Sequence, residues 1–150
     1  MPTEVKFEAP AAIVSYESGD LDSLADGDNV LCDKIDNVAD GENEMFISLE
    51  LNLGATGSRD TDARVEIFIL YSLDDSTFDM PDATTPDPRP EALLHVFSLD
   101  GGVTTARRRV AVNIPIAPFD FKLVVMNECG GAFAATGNTL KYRLHSAESQ

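Results

Sequence analysis

The residue types that most often carry catalysis or bind metals are few in this chain. Its 150 residues include two cysteines, Cys32 and Cys129, and two histidines, His95 and His145. Neither cysteine has further ligands at the close spacing that a zinc site needs. Both cysteines lie beside apolar stretches, so we predict two buried free thiols, with a disulfide as the alternative. Neither histidine belongs to a nucleophile motif, and we expect structural or surface roles for both.

Motifs of known catalytic sites are absent from the sequence. There is no Gly-x-Ser-x-Gly elbow, no His-Glu-x-x-His zinc motif and no glycine-rich phosphate or dinucleotide loop. Carboxylates are abundant, with 26 Asp and Glu against 11 Lys and Arg, so no single pair stands out as a glycosidase-type acid and base. We therefore predict a protein that is not an enzyme and needs no cofactor.

The strongest candidate for a metal site is the acidic segment 20–29. An EF-hand loop that began at Asp20 would need an oxygen ligand at its fifth position, where Leu24 stands. It would also need a glutamate at its twelfth position, where Leu31 stands. We therefore predict that these acids are solvated loop residues and that the chain has no metal site.

The charge is distributed unevenly along the chain. The formal net charge is −15, and it divides into −18 for residues 1–100 and +3 for residues 101–150. Such an acidic chain should be repelled by nucleic acid and by anionic membranes, so neither is an expected partner. The polarity allows copies to pair head to tail, while the alternative is that both parts are simply solvated.

Three consecutive arginines, Arg107, Arg108 and Arg109, precede a strand-like pattern. Alternation along a strand places Arg107 and Arg109 on one face and Arg108 on the other. In a chain with this excess of acid, we expect them to meet carboxylates. Those carboxylates belong either to a neighbouring subunit or to acidic loops of the same subunit.

Hydrophobic residues recur mainly with a period of two, which indicates strands. Proline, glycine and acidic residues fill the segments between them, and no convincing helical periodicity is present. The pattern predicts an all-β fold, a two-sheet sandwich of about eight antiparallel strands, with a jelly roll as first choice and an immunoglobulin-like sandwich as the alternative. The predicted strands are 12–17, 29–35, 45–53, 65–71, 93–99, 109–116, 119–125 and 140–145.

The length and the even pattern predict one sandwich domain over residues 1–150. Residues 1–44 are either an extended arm that reaches a neighbour or edge strands of the sandwich.

The segment Met1-Pro2-Thr3-Glu4 has neither a basic nor an apolar region, so we predict no signal peptide, and a reducing cytosol as the place of folding. No apolar run approaches the roughly 20 residues of a membrane helix.

The segments 121–127 and 131–143 resemble the C-terminal part of small virion proteins of tailed bacteriophages, and the similarity extends over residues 65–146. The resemblance implies a capsid decoration (cement) protein with a jelly-roll fold, made in the host cytoplasm and located on the outer capsid surface. It implies the major capsid protein as partner and a homo-oligomer, in the first place a trimer. The most distinctive string is Ala134-Ala135-Thr136-Gly137-Asn138-Thr139-Leu140.

The basic C-terminal third coincides with this recognisable segment, so we predict that it holds the docking face. The predicted contact residues are the three arginines 107–109 together with Gly130 and Gly131, since glycines allow a backbone to approach another surface closely. The alternative for the glycines is a plain connection between strands. Alternative functions are a carbohydrate-binding sandwich on the particle surface and a tail or connector component.

Overall fold

The chain folds into two facing antiparallel sheets of four strands each, together with a short pair formed by its first and last strands. This computed structural model describes residues 5–7, 12–17, 19–38, 43–74, 76–79 and 88–149. Within those residues the only helix is a single 3₁₀ turn, Pro90–Ala92. The strands are β1 (Val5–Phe7), β2 (Val14–Glu17), β3 (Asn29–Ile35), β4 (Phe46–Leu53), β5 (Arg64–Tyr71), β6 (Leu93–Ser98), β7 (Arg107–Pro115), β8 (Phe121–Glu128), β9 (Thr139–His145) and β10 (Ala147–Ser149).

The strand order defines a jelly roll. The first sheet has the order β2-β9-β4-β7 and the second the order β3-β8-β5-β6. If the eight sandwich strands β2 to β9 are renumbered one to eight, the first sheet has the order one, eight, three, six and the second the order two, seven, four, five. This is the strand order of a jelly roll, which is built from two Greek keys. An immunoglobulin-like sandwich would place strands one, two, five and four together. The predicted all-β sandwich is therefore confirmed.

Alternation of apolar and polar residues builds the sandwich. In β4 the side chains of Ile47, Leu49 and Leu51 are buried between the sheets, whereas Ser48 and Glu50 point outward and are half-buried. The same core includes Cys32 and Cys129 as buried thiols that form no disulfide, which confirms that prediction. Each inward side chain is removed from water, and this burial is the main stabilising contribution to the fold.

The strand connections gather at two ends of the sandwich. At one, called the Asn127 end, the backbone N–H of Ser23 donates to Ala134 O at 2.9 Å and that of Asp60 to Cys129 O at 2.8 Å. At the other, called the Asp120 end, the N–H of Ser72 donates to Asp120 O at 2.9 Å. The Asn127 end therefore joins the β2–β3, β4–β5 and β8–β9 connections, and the Asp120 end joins the β5–β6 and β7–β8 connections.

Strands β2 and β3 lie at the edges of the first and the second sheet, respectively. The segments 14–17 and 29–35, for which the sequence left open an arm or edge strands, are thus edge strands. The parts of that expectation that fall on residues 1–4, 8–11, 18 and 39–42 lie outside the described residues. In the described part of the chain, no helix has the length and apolar character needed to cross a membrane.

Candidate functional site

The outer face of the second sheet is covered by the chain itself. Phe68, Leu70 and Val124 point away from the main core, yet they are 5%, 2% and 0% exposed. Phe78, from the segment after β5, and Ala92, from the 3₁₀ turn, pack on them. Strand β5 is thus an interior strand of its sheet that is covered on both sides. The second sheet therefore has a small apolar cluster of its own on its outer face.

The outer face of the first sheet is open. Its apolar residues Val110 and Val112, on β7, are 54% and 65% exposed, and Ile13 beside β2 is 56% exposed. They line a shallow groove of about 490 Å³ that crosses β9, β4 and β7. We call this surface the open groove; it is lined chiefly by Ile13, Glu50, Arg108, Val112, Lys141 and Arg143.

The charges of the open groove are arranged around Glu50. Arg108 Nε donates to Glu50 Oε2 at 3.0 Å, and Lys141 Nζ lies 3.6 Å from Glu50 Oε1. The hydrogen bonds from Arg108 and from Asn52 lower the pKa of Glu50 from 4.5 to about 2, so that it stays ionised. The open groove is therefore lined by one carboxylate and three cations, namely Arg108, Lys141 and Arg143. Its net charge is +2, although the chain as a whole has a net charge of −15.

Two polar groups in the open groove have no hydrogen-bond partner among the described residues. They are Arg143 Nε and His145 Nδ1, both shielded from solvent. The His145 ring stacks on Phe46 at 5.6 Å between centroids, and its Nε2 lies 2.9 Å from Asn113 Oδ1. Buried polar groups without partners cost free energy, so a ligand or partner that supplies an acceptor for Arg143 Nε would bind favourably.

The structure separates the three predicted arginines. Arg108 projects into the open groove, whereas Arg107 Nε and Arg109 Nη2 lie 3.0 Å and 3.1 Å from the carboxylate of Asp100. The predicted division between the two faces is therefore confirmed. All three arginines meet carboxylates of the same chain, the intramolecular of the two alternatives, while contact with a partner stays a prediction.

Gly130 and Gly131 lie in the β8–β9 connection at the Asn127 end and pack against their own chain. The N–H of Gly130 donates to Asp26 Oδ1 at 2.7 Å, and a Cβ on this residue, whose φ is +76°, would collide with Asp60. A Cβ on Gly131 would crowd Ser58. Close backbone approach is therefore used here within the chain, and a partner contact at these glycines stays a prediction.

Two asparagines that sequence reasoning did not single out hold the same connection in place. Asn127, fully buried, donates from Nδ2 to Leu24 O at 2.9 Å and to Gly131 O at 3.0 Å. Asn138, within the recognisable string, donates from Nδ2 to Asp22 Oδ1 at 2.7 Å. The only signal in the sequence was their position among glycines and alanines, where a side-chain amide commonly replaces backbone partners.

A second depression, at the Asp120 end, has the opposite charge. Leu73 is 85% exposed there, and Val38 and Phe119 are 48% and 41% exposed. Carboxylates of Asp36, Asp74 and Asp120 accompany these apolar groups around a volume of about 570 Å³. We call this surface the acidic depression; it is lined chiefly by Asp36, Val38, Leu73, Asp74, Phe119 and Asp120.

Hydrogen bonds fix the carboxylates of the acidic depression. Asp120, only 3% exposed, accepts from the N–H of Asn37 at 2.8 Å and lies 3.0 Å from Lys34 Nζ. Asp74 accepts from the N–H groups of Ser76 and Thr77, and these bonds lower its pKa below the ordinary value. These contacts hold the carboxylates of Asp74 and Asp120 in place beside the exposed apolar groups.

The acids of segment 20–29 serve partly as hydrogen-bond acceptors for loops, since Asp22 and Asp26 bond Asn138 and Gly130. Among the described residues, no group of three His, Cys, Asp or Glu side chains is placed to hold a metal ion.

Burial raises the pKa of the Cys129 thiol to about 11, so it stays protonated and unreactive.

Comparisons of the chain with protein-family models, with curated proteins and with solved structures found no significant match.

Proposed function

We propose that this protein is a non-enzymatic structural component of a virus particle. In this proposal it is a capsid decoration protein that binds the major capsid protein at the outer surface of the virion. Two observations support the proposal: the resemblance of residues 65–146 to small virion proteins of tailed bacteriophages, and the jelly-roll fold, which is common among viral capsid proteins.

The observation that carries the proposal is the open outer face of the first sheet. A protein that works alone has little reason to expose Val110, Val112 and Ile13 together on one rigid sheet. The opposite sheet shields its own outer apolar residues with a loop and a turn. Burial of these apolar side chains against another protein lowers the free energy, and a coat made of many copies provides protein surfaces that can bury them.

The experiment is co-purification with particles. Virus particles are isolated on a density gradient, and this chain is quantified relative to the major capsid protein by mass spectrometry. The proposal expects the chain to sediment with the particles at a fixed ratio that agrees with the capsid symmetry. Its presence in infected-cell lysate together with its absence from purified particles would contradict the proposal.

A decoration protein has a further property that separates it from a tail or connector component. Its copy number scales with the surface of the shell, whereas a connector is present in a few copies at one vertex. Immunogold labelling of intact particles is expected to mark the whole shell. Label confined to one vertex or to the tail would assign the chain to a tail or connector component instead.

A further inference from the structure

We propose that copies of this chain bind one another head to tail, the acidic depression of one copy seated on the open groove of the next. The partner is thus a second copy of the same chain. The proposal uses the open face on which the proposed function also rests, but it concerns the protein in solution without particles, so the two are tested separately.

The first argument is charge complementarity between two surfaces of the same chain. The open groove has a net charge of +2, and Arg143 is the cation in it that is not paired with Glu50. The acidic depression presents Asp36 and Asp74 at its surface. Charges of opposite sign in facing surfaces select orientation and exclude like-with-like docking.

The second argument is that both surfaces combine charge with exposed apolar groups. Leu73, at 85% exposure, is the most exposed large apolar side chain in the described part of the chain, and Val112 follows at 65%. Contact between them would bury both, together with Phe119 and Val110, inside a rim of ion pairs. An apolar centre surrounded by a polar rim is the usual anatomy of a protein interface.

The third argument is the position of the two surfaces in the fold. The open groove lies on a side of the sandwich, and the acidic depression lies at its Asp120 end, so the two do not overlap. A contact between different surfaces is heterologous, and repeated contacts of this kind close into a ring when the rotation permits.

The test uses one substitution in each surface and one outside both. Val112→Glu places an acid in the open groove, and Leu73→Arg places a cation in the acidic depression. Leu93→Glu, on β6 of the second sheet, is the matched control, because Leu93 is 43% exposed and lines neither surface. All three side chains are exposed, so we expect the variants to fold, which circular dichroism and thermal unfolding check.

Mass is measured by size-exclusion chromatography with light scattering and by sedimentation velocity. The parent chain and Leu93→Glu are expected to be oligomers, and Val112→Glu and Leu73→Arg each to lose at least about tenfold in self-affinity. Variants are preferable to salt titration, because salt also screens the repulsion between chains of net −15.

A mixture of the two disrupted variants tests the heterologous geometry. The Val112→Glu copy keeps an intact depression and the Leu73→Arg copy an intact groove, so the mixture is expected to associate although neither variant does so alone. A parent chain that is monomeric at about 100 μM would overturn the proposal. Equal dissociation of the Leu93→Glu control, or a mixture that stays monomeric, would overturn it as well.

Discussion

The two outer faces of this sandwich belong to antiparallel sheets of four strands each, yet the chain covers one face and not the other. On the second sheet, Phe68 and Leu70 lie beneath Phe78 and the 3₁₀ turn. On the first sheet, Val110 and Val112 are exposed beside cations. Phe78 and Ala92 thus shield the outer apolar cluster of the second sheet, whereas no described residue covers Val110 and Val112 on the first.

The contrast also separates the energetic roles of the two faces. Apolar groups that are buried within the chain stabilise the folded state. Exposed apolar groups contribute little to the stability of the fold, and they stabilise a complex when a partner buries them. Substitutions on the covered face should therefore change stability, while substitutions on the open face should change association.

The largest effect is expected for Phe68→Ala. Removal of a buried ring from the covered face should lower the free energy of unfolding by about 3 kcal/mol, through lost burial and the cavity left behind. The measurement is chemical denaturation of the parent and the variant. Val112→Ala on the open face is the matched substitution, and we expect it to change stability by no more than about 0.5 kcal/mol. Equal costs at the two positions would refute the distinction between the faces.

A smaller effect is expected for Phe78→Ala, which removes the cover rather than the covered residues. The ring of Phe78 is half-buried, packs on the outer cluster and lies under Lys122 Nζ at 5.0 Å from its centroid. We expect a loss of about 1.5 kcal/mol and increased binding of a hydrophobic dye to the folded protein. Unchanged dye binding would mean that this loop does not seal the face.

The smallest effect concerns Glu50→Gln in the open groove, and it depends on pH. Arg108 lowers the pKa of Glu50 to about 2, and such a carboxylate stabilises the fold above its ordinary value of 4.5. This contribution is lost as the pH falls from 4.5 towards 2. The parent protein should therefore lose more stability than the variant over that range, as measured by denaturation at several pH values. Parallel curves would argue against the Arg108–Glu50 interaction.

The sequence pattern predicted all eight strands of the sandwich, and strands β3 to β9 each have at least one face packed in the apolar core. It did not predict β1 and β10, since strands of three residues are too short to display a period. The jelly roll itself rests on pairings between distant segments, such as β2 with β9, which alternation along one strand does not specify.

The open groove was harder to foresee than the fold. The separation of Arg108 from its neighbours followed directly from alternation. Arg108 bonds Glu50 and shares the groove with Arg143 because β7, β4 and β9 are adjacent in one sheet and in a particular register. The acidic depression likewise gathers Asp36, Leu73 and Phe119 from three connections, so only the folded chain brings either surface together.

The central claim is that the open face is covered when the protein is assembled, and cysteine labelling tests it most directly. Both native cysteines are buried, so Val112→Cys and, as control, Leu93→Cys introduce single accessible thiols. Each variant is treated with a maleimide as dilute free protein and again on purified particles. We predict that Cys introduced at Val112 is labelled in the free protein and protected on particles, while the one at Leu93 is labelled in both. Equal labelling at Val112 in the two states would contradict the claim.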